Sequence, residues 1–239
     1  MKIAFSTLAC PDFSWTDIYS MAKDFGFSGI EVRGLGTDIF SVGGRPFSDE
    51  TLPKTISTLK KLHLEIPCLS SGSALEYGDK VEDTIADIRK YIDLAQKIGT
   101  PYVRVLGDLL AAPDGDVDDE LVLSTLLRLV PYAEEKGITL LVESNGVYSD
   151  TSRLRELLER VGSDYVAALW DIHHPYRFAG ESPETTIQNL GAFVKYTHIK
   201  DSAMVDGKLV YRMMGEGDLP VDSVVRALRS INYEGYITL

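Results

Sequence analysis

The most constraining feature of this chain is the regular spacing of three segments in which an apolar run ends in a group that binds divalent metals. Glu143 ends the first run, Asp171 the second and His198 the third, at intervals of 28 and 27 residues. A (β/α)8 barrel repeats roughly every 30 residues and gathers its functional groups at the C-terminal ends of its strands. One ligand at the same place in three successive repeats predicts a barrel with a metal site at that end.

Short β-rich runs alternate with longer runs of helical periodicity along the whole chain, which is typical of a parallel sheet with crossover helices. Segments 81–98 and 118–136 carry apolar residues every three or four positions, as helices packed on a barrel do. The glycines that follow them, Gly99 and Gly137, suit left-handed helix ends. The expected N-caps are Ser14, Ser48, Asp150 and Ser182. The eight predicted strands are 2–8, 29–33, 65–69, 102–106, 139–143, 166–171, 196–200 and 234–239.

These patterns predict an α/β fold, a single (β/α)8 TIM barrel domain over residues 1–239, because no low-complexity linker divides the chain. The last predicted strand reaches Leu239 with no eighth helix after it in the sequence shown. Parallel sheets normally bury both faces. We therefore expect the native polypeptide to continue, and this sequence to be truncated at its C-terminus.

Composition excludes several classes of function. The chain has 24 Lys and Arg against 36 Asp and Glu, a net charge of −12, which disfavours nucleic acid as a partner. Apolar runs are far shorter than the roughly 18 residues of a membrane span, and the N-terminus lacks a secretory pattern. We expect no membrane association and a cytoplasmic location. Cys10 and Cys68 cannot form a disulfide framework.

Three of the four histidines, His173, His174 and His198, fall at predicted strand ends. Together with Glu143 and Asp171 they favour one divalent metal ion as cofactor. A set of carboxylates and imidazoles without thiolates suits Mn²⁺, Mg²⁺, Co²⁺ or Zn²⁺. Because successive residues of a strand face opposite sides, His173 and His174 are expected to point in opposite directions, and His173 is expected to be structural rather than catalytic.

This constellation resembles the sugar phosphate isomerase/epimerase superfamily, whose members have a xylose isomerase-like TIM barrel. The resemblance covers essentially the whole chain. It implies that Glu143, Asp171 and His198 bind one metal ion, and that a fourth ligand, a glutamate, comes immediately after Leu239. It also implies that Glu143 is an acid/base group and that His174, three residues after Asp171, is a second catalytic group.

Three further residues are candidates for substrate binding. Lys200 is two residues after His198, on the same face of the strand, and either binds a substrate oxygen or phosphate or is ion-paired. Arg177 lies in the loop after the sixth predicted strand and can bind hydroxyls or phosphate. Asn145 stands where the dehydroshikimate dehydratase branch of the superfamily has a histidine, which disfavours that branch.

The resemblance implies a metal-dependent isomerase or epimerase that acts on a ketose, ketose phosphate or related polyol ketone through a metal-stabilised enediolate. One alternative is a metal-dependent dehydratase of the inosose type. The other is a non-catalytic sugar-binding barrel within a longer protein. The expected partner is a small-molecule sugar or sugar phosphate, and the sequence leaves open whether the chain forms an oligomer.

Overall fold

The barrel strands of the protein are short and are separated by helices. The structure is a computed structural model that describes residues 1–35 and 44–239. Its strands are β1 (Lys2–Ser6), β2 (Gly29–Glu31), β3 (Cys68–Ala74), β4 (Tyr102–Leu106), β5 (Thr139–Glu143), β6 (Val166–Asp171), β7 (Val194–His198), β8 (Asp201–Val205), β9 (Lys208–Arg212) and β10 (Tyr236–Thr238).

Eight of these strands form one parallel sheet in the order β2-β1-β10-β7-β6-β5-β4-β3. Two isolated parallel bridges, Gly29 with Glu65 and Val32 with Leu69, connect the outer strands β2 and β3. The sheet therefore forms a nearly closed barrel, and the predicted α/β TIM barrel is confirmed.

Seven α-helices lie in the described part of the chain, and none of them is long and apolar enough to cross a bilayer. They are α1 (Trp15–Asp24), α2 (Leu52–Leu62), α3 (Val81–Ile98), α4 (Asp119–Lys136), α5 (Thr151–Val161), α6 (Pro183–Leu190) and α7 (Val221–Ser230). Gly99 and Gly137 end α3 and α4 with φ of 83° and 68°, as the sequence predicted. Ser48 does not cap a helix, because α2 begins at Leu52 and its N-cap is Thr51.

Side chains alternate between the two faces of each barrel strand, which gives one core between the barrel and the helices and another inside the barrel. The same alternation positions the candidate site. Leu140 and Val142 of β5 face the core between barrel and helices, whereas Leu141 belongs to a small cluster inside the barrel. Glu143, two residues after Leu141, therefore points inward just beyond this apolar layer. The inner cluster consists of Ala4, Cys68, Leu141, Ala167, Leu169, Tyr196 and Tyr236. The other two predicted metal ligands, Asp171 on β6 and His198 on β7, likewise lie two residues after members of this cluster.

An antiparallel hairpin follows the seventh barrel strand and was not predicted. The seventh strand was expected to run to position 200, but β7 ends at His198, and β8 and β9 then pair from Asp201 with Arg212 to Val205 with Lys208. The side chain of Asp201 accepts hydrogen bonds from four backbone N–H groups, three of which lie beyond the hairpin. The start of the hairpin is thereby joined to the segment that follows it.

Candidate metal centre

The three predicted metal ligands meet at the C-terminal end of the barrel. Glu143, Asp171 and His198 end the adjacent strands β5, β6 and β7, and each offers a ligand atom within 4.8 Å of the other two. Glu143 is 3% exposed and Asp171 1% exposed. Two carboxylates and one imidazole that converge in this way fit a divalent cation, and the absence of thiolates among them favours Mn²⁺, Mg²⁺, Co²⁺ or Zn²⁺.

The backbone at the end of β6 fixes the carboxylate of Asp171. Its Oδ1 accepts hydrogen bonds from the N–H groups of His173 and His174, at 3.0 and 3.2 Å. The Asp171 N–H donates in turn to Oγ of Ser144 at 2.9 Å. Oδ2 accepts a hydrogen bond from the ammonium group of Lys200. One oxygen is thus held by the main chain, and the other faces the ammonium group of Lys200.

Glu143 is held from two sides. Its Oε2 accepts from Nε of Arg104 on β4 at 2.6 Å, and its Oε1 lies 3.0 Å from Nδ1 of His198. Arg104 also donates through Nη1 to the carbonyl of Ser71. Burial alone would raise the pKa of Glu143, but the positive charges of Arg104 and His198 hold this pKa well below its usual range. The carboxylate is therefore ionised.

His198 lies between two carboxylates. Its Nε2 is 2.6 Å from Oε2 of Glu31, at the end of β2, on the side of the ring opposite to Glu143. Burial alone would lower the pKa of His198, but the charges of Glu31 and Glu143 raise this pKa to about 10. The same contact lowers the pKa of Glu31 although burial opposes it. Together these carboxylates attract positive charge to this point of the barrel.

His174 and Lys200 form a second polar group beside Asp171. Nζ of Lys200 lies 2.8 Å from Nε2 of His174, while Nδ1 of His174 is 3.3 Å from the carbonyl of Ser144. Burial lowers the pKa of His174, and the opposing charge of Asp171 does not offset this effect. His174 is therefore a neutral imidazole, with Nδ1–H donating to the carbonyl and the Nε2 lone pair accepting from Lys200.

A second trio, Asp171, His173 and His174, also brings ligand atoms within 4.8 Å of one another. The ammonium group of Lys200 already contacts both Asp171 and His174, so a cationic group occupies that position. His173 instead places Nε2 2.8 Å from Oγ of Ser202 and is fully buried. All three members of the first trio line the same pocket, whereas His173 does not, so the first trio is the better candidate for a metal site.

The candidate ligands line a pocket of about 480 Å³, a size suited to a small molecule. A larger cavity, of about 620 Å³, lies at the opposite end of the barrel and contains none of the candidate ligands. The smaller pocket is therefore the candidate site, because it contains the predicted metal ligands. Its other polar lining residues are Ser6, Glu31, Arg33, Arg104, Asn145, His174, Lys200, Tyr211 and Thr238.

The candidates for substrate binding lie in different places. Asn145 and Lys200 line the pocket, and the Asn145 side chain donates to the carbonyl of Asp108 at 2.9 Å. Arg177 is not among the lining residues. Its guanidinium group donates to the carbonyl of Ser202 at 3.0 Å and pairs with Asp218, so it ties the loop after β6 to the segment that follows the hairpin.

Sequence reasoning missed Glu31 and Arg104, which contact the candidate ligands His198 and Glu143. Glu31 lies at the C-terminal end of a strand, as Glu143 does, and the same strand-end rule could have found it. Arg104 is the middle residue of β4, between the outward-facing Val103 and Val105. The alternation of the strand could have placed it inward.

Comparison with known proteins agrees with the fold. The family model of the xylose isomerase-like TIM barrel matches residues 20–239, and the chain belongs to this family. Fructoselysine 3-epimerase of Shigella flexneri is 25% identical over 242 residues, covering 91% of this chain and 82% of that protein. The probable 3-DHS dehydratase AsbF of Bacillus anthracis superposes with a TM-score of 0.83 at 20% identity, covering 100% of this chain and 92% of that one. The IolI protein, crystallised with a zinc atom, superposes with a TM-score of 0.82 at 17% identity, covering 100% of this chain and 88% of that one.

Proposed function

We propose that the protein is a divalent-metal-dependent isomerase or epimerase of a ketose, a ketose phosphate or a related polyol ketone. The observation that carries the proposal is the convergence of Glu143, Asp171 and His198 within 4.8 Å at the end of the barrel where TIM-barrel enzymes have their active sites. The similarity to a sugar 3-epimerase and to a zinc-containing barrel supports it.

In this proposal Glu143 removes and returns the proton on the carbon beside the substrate carbonyl. It is ionised, as a proton acceptor must be, and Arg104 fixes the direction of its carboxylate. Glu143, Asp171 and His198 would hold the ion, which would supply Lewis-acid polarisation of the substrate oxygens. The same residues would serve Mg²⁺, Mn²⁺, Co²⁺ or Zn²⁺.

His174 and Lys200 are proposed to contact the hydroxyl groups of the substrate. The ammonium group of Lys200 uses two of its three N–H groups on Asp171 and His174 and can donate the third to a polyol at the pocket. The Nε2 lone pair of His174 can accept from a substrate hydroxyl that takes the place of Lys200 there. Asn145 lines the same pocket, whereas Arg177 is engaged outside it. We therefore assign substrate contact to His174, Lys200 and Asn145 ahead of Arg177.

A dehydratase is the second candidate, because a probable dehydratase superposes over the whole chain. Elimination of water also begins with removal of a proton beside a carbonyl, so the same carboxylate could start either reaction. The two reactions differ in their product, since elimination gives an alkene conjugated with the carbonyl, whereas isomerisation and epimerisation conserve the substrate formula.

The decisive experiment follows proton exchange in D₂O by NMR. The purified protein, loaded with Mg²⁺ or with Mn²⁺ that is chelated before measurement, is mixed with a panel of ketoses, ketose phosphates and inososes. Deuterium beside the carbonyl together with a new sugar isomer supports the proposal, and loss of water from an inosose supports the dehydratase. A panel without exchange or elimination would contradict both and favour a sugar-binding barrel.

A further inference from the structure

The carboxylate of Glu31 has one hydrogen-bonding partner among the described side chains, the imidazole of His198. Glu31 is 1% exposed, and a buried carboxylate is costly unless it is paired. It belongs to β2, and β1 and β10 lie between β2 and β7 in the sheet. Glu31 thus reaches His198 across the inside of the barrel, from the side opposite to the strands that carry Glu143 and Asp171.

The two nitrogens of His198 face different groups. Nδ1 lies 3.0 Å from Glu143, and Nε2 lies 2.6 Å from Glu31. Glu31 is not a member of the trio whose ligand atoms all lie within 4.8 Å of one another. The ring edge that carries Nδ1 therefore faces the metal ligands, and the edge that carries Nε2 faces away from them.

A histidine can bind a metal ion only through a nitrogen that carries no proton. A neutral imidazole keeps one N–H, and the hydrogen bond made by that N–H decides which nitrogen is left to bind. A carboxylate that accepts from Nε2–H fixes the proton there and leaves the lone pair on Nδ1. Such a partner also holds the plane of the ring and makes the ligand more basic.

We propose that Glu31 is a positioning residue of the metal centre, which holds His198 as the Nε2–H tautomer with Nδ1 facing the ion. This inference rests on the proposed metal site, but it concerns a residue that does not itself bind the ion. Loss of such a partner typically weakens metal binding about 10- to 100-fold.

The test compares Glu31→Leu and Glu31→Gln with the wild type by calorimetric titration with Zn²⁺ and Mn²⁺. Leucine removes the acceptor, whereas glutamine retains a carbonyl oxygen that can accept from Nε2–H. We expect about 10- to 100-fold weaker binding in Glu31→Leu and partial rescue in Glu31→Gln. Glu134→Leu, on the exposed side of α4, is the matched control and is expected to bind as the wild type does.

A second readout observes the tautomer itself. ¹⁵N NMR of the Zn²⁺-loaded protein resolves the imidazole nitrogens of four histidines, and His198→Gln identifies the signals of His198. We expect a protonated Nε2 in the wild type and in Glu31→Gln. If Glu31→Leu does not fold, the wild-type spectrum and the affinity of Glu31→Gln still test the inference.

The outcomes separate this inference from the proposed function. Wild-type binding in a folded Glu31→Leu variant, or a metal-bound Nε2 in the wild type, overturns the role of Glu31 and leaves the metal site standing. A wild type that binds neither ion overturns the metal site and the role of Glu31 together. Normal metal binding without proton exchange on any ketose contradicts the proposed reaction and leaves Glu31 as a positioning residue.

Discussion

Arg104 and Glu143 connect neighbouring strands of the barrel, with Nε of the arginine 2.6 Å from Oε2 of the glutamate. Their side chains are 12% and 4% exposed, so water screens the pair only weakly. The arginine thus engages one oxygen of Glu143, and the other oxygen faces His198. Arg104 therefore both compensates a buried charge and sets the direction of the proposed proton acceptor.

Replacement of Arg104 by methionine is expected to destabilise the metal-free protein. Removal of one partner of a buried ion pair leaves an uncompensated charge, and the free energy of unfolding should fall by about 3–5 kcal/mol. Urea denaturation measures the change. Arg128→Met is the control, because Arg128 pairs with Glu82 on the surface and exposed pairs contribute at most about 1 kcal/mol. Equal losses in the two variants would contradict this role of Arg104.

Replacement of Glu143 by glutamine is expected to abolish most of the proton exchange. Glutamine has nearly the same shape but cannot accept the proton, and loss of a general base typically lowers the rate about 10²- to 10⁴-fold. Deuterium incorporation is measured at saturating metal, so that weaker metal binding does not limit the rate. Glu134→Gln on the surface of α4 serves as the control. Full turnover by a metal-loaded Glu143→Gln variant would exclude Glu143 as the base.

Removal and return of the metal ion should change the thermal stability. At an ion concentration of about one hundred times Kd, binding to the native state adds about 2.7 kcal/mol to the free energy of unfolding. For a chain of this size the midpoint should rise by about 5–10 °C. Calorimetry before and after chelation measures the shift. Asp171→Asn weakens one ligand, so the ion should raise the midpoint of this variant far less. An equal rise in this variant would indicate that the ion binds elsewhere.

The candidate metal centre could be predicted because its geometry depends on strand register. Alternation along a strand decides which side chains face inward, and the repeat length of the barrel aligns the strand ends, so Glu143, Asp171 and His198 were found from spacing alone. Glu31 obeys the same rule but comes from a distant repeat. The contact of Glu31 with His198 could not be predicted, because it forms only when the closed barrel brings the ends of β2 and β7 together across its interior.

Loop residues could not be placed in this way. Arg177 follows β6 in a segment with no periodic pattern, and its position depends on contacts with Ser202 and Asp218. The β8–β9 hairpin depends equally on tertiary contacts, because Asp201 binds backbone groups more than ten residues further along the chain. The roles of such residues follow from the folded chain and not from local sequence.

Asp201 gives the last prediction, which concerns how the hairpin is attached. Its Oδ1 accepts from the N–H groups of Ser202 and Leu219, and its Oδ2 from those of Gly215 and Gly217, at 2.8 to 3.2 Å. Asparagine at this position has one acceptor oxygen and an amide group that cannot accept. We expect Asp201→Asn to lower the free energy of unfolding by about 2–3 kcal/mol at neutral pH, measured by urea denaturation.

The pH dependence of this loss identifies its cause. Burial alone would raise the pKa of Asp201, but the four backbone hydrogen bonds bring it below its ordinary value. Stability from a carboxylate with a lowered pKa is complete above the unfolded value, about 3.9, and disappears as the pH falls through the folded value. The difference between the wild type and Asp201→Asn should therefore shrink below about pH 4. Asp206→Asn, in the exposed turn of the same hairpin, should show little difference at any pH. A loss in Asp201→Asn that stayed constant into acid would mean that the shape of the side chain, and not its charge, joins the hairpin to the segment that follows it.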